Sequence, residues 1–422
     1  MEAVKSLWVL LSQDSVQYCN ESSKPDSTSK DFMSQELFSK IVRLAEANSW
    51  SCTVLCNSYG FPKDYDALCS GINFEIVLPA TYVGNARNEH TTVVFESSQT
   101  ELFQKHKGVP KAILRLQRKH LPLLSEMVLA LLNHFNDISI RHPELLSYDD
   151  EDMTTYTKQL FEIGRSLLDK KEQWSLYRVD CLTDRFHLDS VNTCGAGVTR
   201  LAVGPDGKLY ICPAAARSGW YSCGHILENV EIPNRYLLTR KYSVTCGKCE
   251  ALHCVWCVYM NKLGTLEFCV PPRNVCRLAH FEQEVQAWLA QELIEKGLWN
   301  QSLIVPAQPK VYDPYELVKA EDEPPLADSW RRLVKFDGLP QNLRPAMMLD
   351  IIHGLQGWLE ALVACAEAGY VPSVEVLQQD VLSSLRRRTI EQYRDVIFQE
   401  GCPSVREIEL LMRGAVEKAL TS

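Results

Sequence analysis

The stretch CGAGVTRLAVGPDGKLYIC, residues 194–212, decides how the chain is read. It consists of two short strand-like runs, VTRLAV and KLYIC, joined by GPDG. Pro205 presets its own φ and Gly207 accepts a positive one, so Pro205-Asp206-Gly207 forms a turn for a stated physical reason. The resulting hairpin carries Cys194 and Cys212 to the same end of a small β unit. Gly195 and Gly197 do not match the spacing of a phosphate-binding loop, and the segment leads into a strand.

Downstream lies a denser group, CGKCEALHCVWC at residues 246–257, with four cysteines spaced x2, x4 and x2. Nine of the sixteen cysteines fall between Cys194 and Cys276, where an even spread would place about three. With no signal peptide, and no apolar run longer than the five residues Leu7 to Leu11 near the start, the chain is expected to be cytoplasmic. Thiols stay reduced there, which points away from disulfides and towards metal. No run suits a membrane span. The net charge of −9 argues against nucleic acid as a partner. Two short basic runs, Arg115 to His120 and Arg386 to Arg388, read as solvated faces.

Upstream, residues 1–180 alternate strand-like and helix-like segments. Strands are expected at Ser6 to Leu11, Cys52 to Leu55, Phe74 to Leu78, Thr92 to Phe95, Lys111 to Leu116 and Asp137 to Arg141. Helices are expected after a Ser34 cap, over Leu123 to Phe135, and from the acidic run Asp149 to Asp152 to about Leu168. This alternation predicts an α/β fold with a parallel sheet, either layered or as a partial barrel. Residues 181–300 form the Cys-rich region and close with a helix from Phe281 to Lys296, carrying Val285, Trp288, Leu289 and Leu293 on one side. A Pro-bearing and acidic linker follows at 301–327, and 328–422 has helical periodicity, with helices expected near 346–369, 373–399 and 404–420.

Thiolates converging on a small volume suit a thiophilic metal. Cys194, Cys212, Cys246, Cys249, Cys254, Cys257 and Cys276 are too many for one zinc and suit two four-coordinate centres, with zinc as the alternative to iron–sulfur clusters. Cys223 and Cys269 read as small buried hydrophobes. His225, His253 and His280 are read either as surface side chains or as metal neighbours. Cys19 reads as structural, or else as a thiol facing a partner.

The arrangement resembles the SPASM domain, the cluster-binding extension of many radical SAM peptide-modifying enzymes. Its elements are a Cys, a Gly separated by four residues from a second Cys, a compact four-Cys group and a seventh Cys, met here by Cys194, Gly207, Cys212, Cys246 to Cys257 and Cys276. The compact group is spaced more tightly than is usual for that domain. The run CEALHCVWCVYMNKLGTLEFCVPPRNVCRLAHFEQE resembles a narrower family, the CXXX repeat peptide maturases. The resemblance implies two auxiliary [4Fe–4S] clusters, one on Cys194, Cys212 and Cys257, the other on Cys246, Cys249, Cys254 and Cys276. Cys181, Cys223, His280 or a substrate thiol would complete the first. It also implies a degenerate radical-SAM-like domain over 1–180 and a SPASM-like domain over 181–300.

A radical SAM enzyme carries three cysteines, spaced x3 and x2, in the loop after its first strand. Here that loop reads SQDSVQYCNESSKPDSTS and holds Cys19 alone. No radical-generating cluster is expected, nor S-adenosylmethionine as cofactor. The leading expectation is an iron–sulfur protein that matures a small cysteine-containing precursor peptide, through electron transfer or thiol-directed chemistry. Its sheet edge would accept a peptide strand, and a reductant or partner modification protein would assist. The alternatives are a metal-stapled scaffold, and an active enzyme whose atypical cluster is built from Cys19, Cys52, Cys56 or Cys69.

Overall fold

In the computed structural model, residues 4–299 are described apart from 22–31, 83, 85–89, 107, 184–185, 187–192, 221, 229, 231, 233–234, 244–245, 247–248, 250, 252 and 266. The expected linker and C-terminal helices lie outside the described residues. The chain divides into two compact units. One comprises Met1–Leu238, Glu250–Met260 and Arg273–Val311; the other comprises Thr239–Cys249, Asn261–Pro272 and Tyr312–Ser422.

The first unit is built on a nine-stranded sheet. Its strands are β1 Ser6–Leu10, β2 Ser51–Leu55, β3 Phe74–Pro79, β4 Thr91–Glu96, β5 Lys111–Arg115, β6 Asp137–Arg141, β7 Arg178–Val179, β8 Arg200–Val203 and β9 Leu209–Tyr210. Their order is β7-β6-β5-β4-β3-β2-β1-β8-β9. Every neighbouring pair is parallel except β8 with β9. Strands β1 to β7 are laid down one after another in a single direction. Right-handed crossovers that all advance the same way place their connections on one face, which leaves the other face free to curl into a concave surface. β1 explains why so short an apolar run suffices: all five of its residues are buried, as a central parallel strand requires.

The helices start where local chemistry predicts. Ser34 caps Gln35–Ala47, its hydroxyl accepting from the Leu37 N–H at 3.2 Å. Asp149 and Asp152 form a reciprocal capping box at the start of Asp150–Asp169. The last helix, Arg273–Glu295, begins eight residues before the sequence expectation. Cys276 and His280 therefore lie one turn apart on a helix rather than in a loop. This helix packs on Asp150–Asp169 through Trp288, which sits over Gly164, where an added Cβ would come within 2.7 Å of the indole. Only glycine admits so close an approach.

The hairpin at 194–212 forms as expected, with Gly207 at φ +82° and a Cβ there blocked by the His225 ring. Its first strand, however, is not part of a separate β unit. β8 pairs in parallel with β1, Ser6 opposite Arg200 and Val9 opposite Val203. The Cys-rich segment is thus continuous with the main sheet. Both sheet edges, β7 and β9, are two residues long. Each edge therefore offers only a short stretch of backbone for strand addition among the described residues.

Arg115 also departs from its expected solvated face. It lies 2% exposed. Its guanidinium meets Glu96 at 2.7 Å and Glu21 at 3.8 Å, and donates to the Gln17 side chain, the Cys19 carbonyl and the Glu21 carbonyl. Glu21, wholly buried, pairs at 2.6 Å with Arg217, which also donates to the Ser15 and Val16 carbonyls. These contacts fix the loop after β1 across the ends of the strands. Removing the shared carboxylate leaves two buried cations without it, so Glu21→Ala is expected to lower the unfolding free energy by about 3–5 kcal/mol in urea titrations. Lys40→Ala, which removes an exposed pair with Glu36, is expected to leave the midpoint unchanged.

Candidate metal and peptide site

A cavity of about 380 Å³ is lined by residues of β1, β3, β4, β5, β6 and β8. Strand β6 shows how it arises. Ile138 and Ile140 are buried, while Asp137, Ser139 and Arg141 line the cavity together with Ile140. Glu75, Thr92 and Lys111 from β3, β4 and β5 join them, with Trp8 from β1. The opposite wall carries Cys194, Trp256, Cys257 and residues of Arg273–Glu295. Cys19 lines it from the loop after β1.

Local structure accounts for each thiol. A parallel bridge joins Thr193 to Trp256, and the Thr193 hydroxyl donates to the Trp256 carbonyl at 3.4 Å. Cys194 and Cys257 are the next residues on the two segments. Cys212 follows β9 and caps the short helix Pro213–Arg217, its sulfur accepting from the Ala215 N–H at 3.4 Å. Arg217, on the same helix, binds Glu21, and a Glu21 oxygen accepts from the Cys19 N–H at 3.0 Å. Cys19, Cys194, Cys212 and Cys257 carry no disulfide.

Burial raises the pKa of all four thiols. It pushes Cys257 up to about 12, and the Cys194 thiol raises it further. Burial likewise lifts Cys212 well above the usual thiol range, reinforced by Cys257 and Cys194. Cys19 is raised by burial, then by Glu21, Cys194, Cys212 and Cys257. Cys194 is exposed as a residue, yet its thiol is desolvated enough to be raised as well. Cys194, Cys212 and Cys257 all bear on Cys19, and a cation bound among these thiols would reverse the sign of that interaction.

The donor chemistry fits an iron–sulfur cluster. Two thiolates on one tetrahedral zinc stand only about 3.8 Å apart, given bonds of ~2.3 Å. Among the described residues no three His, Cys, Asp or Glu side chains are gathered as a single ion needs. A cluster interposes its own inorganic core between its thiolates. The indole N–H groups of Trp8 and Trp256 are buried without a protein partner, and both side chains line the cavity. Buried donors of this kind want an acceptor, which a cluster sulfide or a peptide carbonyl supplies.

The second set of expected ligands is divided between the units, with Cys246 and Cys249 in one and Cys254 and Cys276 in the other. The Cys249 N–H donates to the Cys246 carbonyl at 3.1 Å, a tight turn, and Arg240 donates to both carbonyls. Cys276 lies 3.5 Å from His280 Nε2. His253 is buried and bonds the Ala279 carbonyl at 3.0 Å, so it is not a surface residue. His225 lies against the turn at Asp206. Cys223 and Cys269 are buried, as expected. Cys52, Cys56 and Cys69 are core residues, with burial raising Cys52 to about 12. Cys181 meets the Tyr156 hydroxyl at 3.7 Å. Sequence reasoning missed Cys19, Glu21 and Arg141 as members of this site. The alternating polar residues of DISIR on β6 were the one available signal.

No family model matches the chain, and neither does any curated protein. Among solved structures it is similar to native anSMEcpe with bound AdoMet and Cp18Cys peptide, at 13% identity over 69% of this chain and 99% of that one, TM-score 0.44. It is also similar to SuiB of Streptococcus suis bound to S-adenosylmethionine, at 12% identity over 65% of this chain and 77% of that one, TM-score 0.41. For SuiB bound to the precursor peptide SuiA the values are 11%, 54%, 64% and 0.34. At these scores the functional reading rests on the chain's own residues. What fold and cavity define is a mostly parallel α/β protein with a thiol-lined concave site.

Cys257 titrates near 12 in the folded chain and near 8.5 unfolded. Below about 8.5 both states keep the proton and stability is unaffected. Above it the folded state holds more protons, so stability falls as pH rises towards 12. The urea midpoint of the metal-free chain is expected to be flat from about pH 6 to 8 and lower at about pH 10. Cys257→Ala is expected to lessen that decline by its own share, the other buried thiols keeping theirs.

Proposed function

We propose that this chain is an iron–sulfur protein of a peptide-modification system. In this reading Cys194, Cys212 and Cys257 hold one [4Fe–4S] cluster, and Cys246, Cys249, Cys254 and Cys276 hold a second. The observation that carries the reading is the convergence of thiols from separate segments on one concave cavity, beside two indole donors without protein partners. The SPASM-like cysteine pattern supports the peptide-modifying role, as does the CXXX-maturase-like run.

A bound cluster would supply one-electron transfer at a potential set by its charge and hydrogen bonds. The chain's own residues do the rest. Arg141 and Arg200 line the cavity and present cationic donors to peptide carbonyls or carboxylates. Asp180 meets Arg141 at 2.5 Å and fixes its orientation. Trp8 and Trp256 exclude water and offer N–H donors. A cavity of this size accepts a short stretch of a small cysteine-containing precursor peptide rather than a whole domain. The loop after β1 does not support radical generation. It holds one cysteine, Cys19, whose N–H donates to Glu21 and whose carbonyl accepts from Arg115.

After strictly anaerobic purification the full chain is expected to carry about eight iron and eight acid-labile sulfide, bleaching with dithionite. A synthetic peptide with a cysteine at every fourth position is expected to bind saturably in anaerobic fluorescence titrations. Zinc without sulfide would sink the iron–sulfur reading, and absent peptide binding would sink the peptide role.

A further inference from the structure

The thiols assigned to the first cluster number three, and a four-iron cluster has four corners to fill. The sequence offered Cys181, Cys223, His280 or a substrate thiol. The structure places none of the protein candidates on the cavity that Cys19, Cys194 and Cys257 line. Cys181 meets Tyr156, which also donates to Glu282 at 3.0 Å. His280 lies against Cys276, a member of the other set. Cys223 is buried beside β9, its N–H bonded to the Leu209 carbonyl at 2.7 Å.

We propose that Cys19 is the fourth protein ligand of the centre held by Cys194, Cys212 and Cys257. The inference rests on the iron–sulfur reading above and goes one step further. Cys19 lines the same cavity as Cys194 and Cys257. It is joined to the Cys212 helix through one carboxylate: the Cys19 N–H donates to Glu21, and Glu21 pairs with Arg217, five residues beyond Cys212. Arg115 holds the Cys19 carbonyl from the other side.

Two consequences follow. A cluster with protein sulfur at all four corners has no iron open to a substrate thiol, so its role is to pass or store an electron. The centre also ties the loop after β1 to the Cys-rich segment, with Arg115 and Arg217 close by to balance its negative charge.

The test compares full-length chains purified anaerobically: wild type, Cys19→Ala, Cys194→Ala, the double variant and Cys223→Ala. Iron, sulfide and the electron paramagnetic resonance of the reduced protein are read, with circular dichroism as the check on folding. Cys19→Ala is expected to lose as much iron as Cys194→Ala, about four per chain. The double variant is expected to lose no more, and Cys223→Ala none. Full iron and an unchanged spectrum in Cys19→Ala, with loss in Cys194→Ala, would overturn the assignment and leave the cluster reading intact. Full retention in Cys194→Ala, or a wild type without iron, would overturn both. Should Cys19→Ala not fold, alkylation of the wild type before and after chelation decides. Cys19 gaining label in step with Cys194, Cys212 and Cys257 supports the assignment. Equal labelling of Cys19 in both states overturns it.

Discussion

One buried carboxylate between two guanidiniums sets the geometry on which the rest of the site depends. Glu21 is wholly buried, and so is its partner Arg217; Arg115 is nearly so. A lone carboxylate at this depth would be costly, and two lone cations more so. Together they neutralise much of that penalty, and their remaining donors go to main-chain carbonyls of the loop after β1. Such a network contributes less to net stability than to a single arrangement of its members. Here the arrangement brings β5, the loop and the helix that begins at Cys212 into one fixed relation, and Cys19 is held with them.

The cavity follows from topology. Because β1 to β7 advance in one direction, right-handed crossovers are expected to fall on one face and leave the other free for the cavity. Polar residues on alternate positions of β6 then have a wet interior to face, and the helix Arg273–Glu295 supplies the opposite wall through Val275, Leu278, Ala279 and Glu282. The Cys-rich segment reaches this space because β8 joins the sheet beside β1. A pairing as small as Thr193 with Trp256 is enough to set Cys194 beside Cys257, although sixty-odd residues separate them in the chain. The placement of Cys194 beside Cys257 thus depends on a parallel strand pair and a single bridge.

The sequence by itself determined what short-range chemistry controls. Six strands of the parallel sheet, the caps at Ser34 and Asp149, the turn at Gly207 and the alternating α/β class were legible, because apolar period, capping oxygens and positive φ act within a few residues. So was the clustering of cysteines, which is a matter of counting. Tertiary structure decided the rest. Arg115 looked like part of a solvated basic run and became a buried hub, because its partners lie almost a hundred residues away. Cys276 looked like a loop residue until its helix extended two turns towards it, stabilised by Trp288 resting on Gly164 in another helix. Cys19 looked like a stray thiol. Its neighbours come from segments far apart in the chain, and no spacing rule encodes a meeting that only sheet order and a buried ion network bring about.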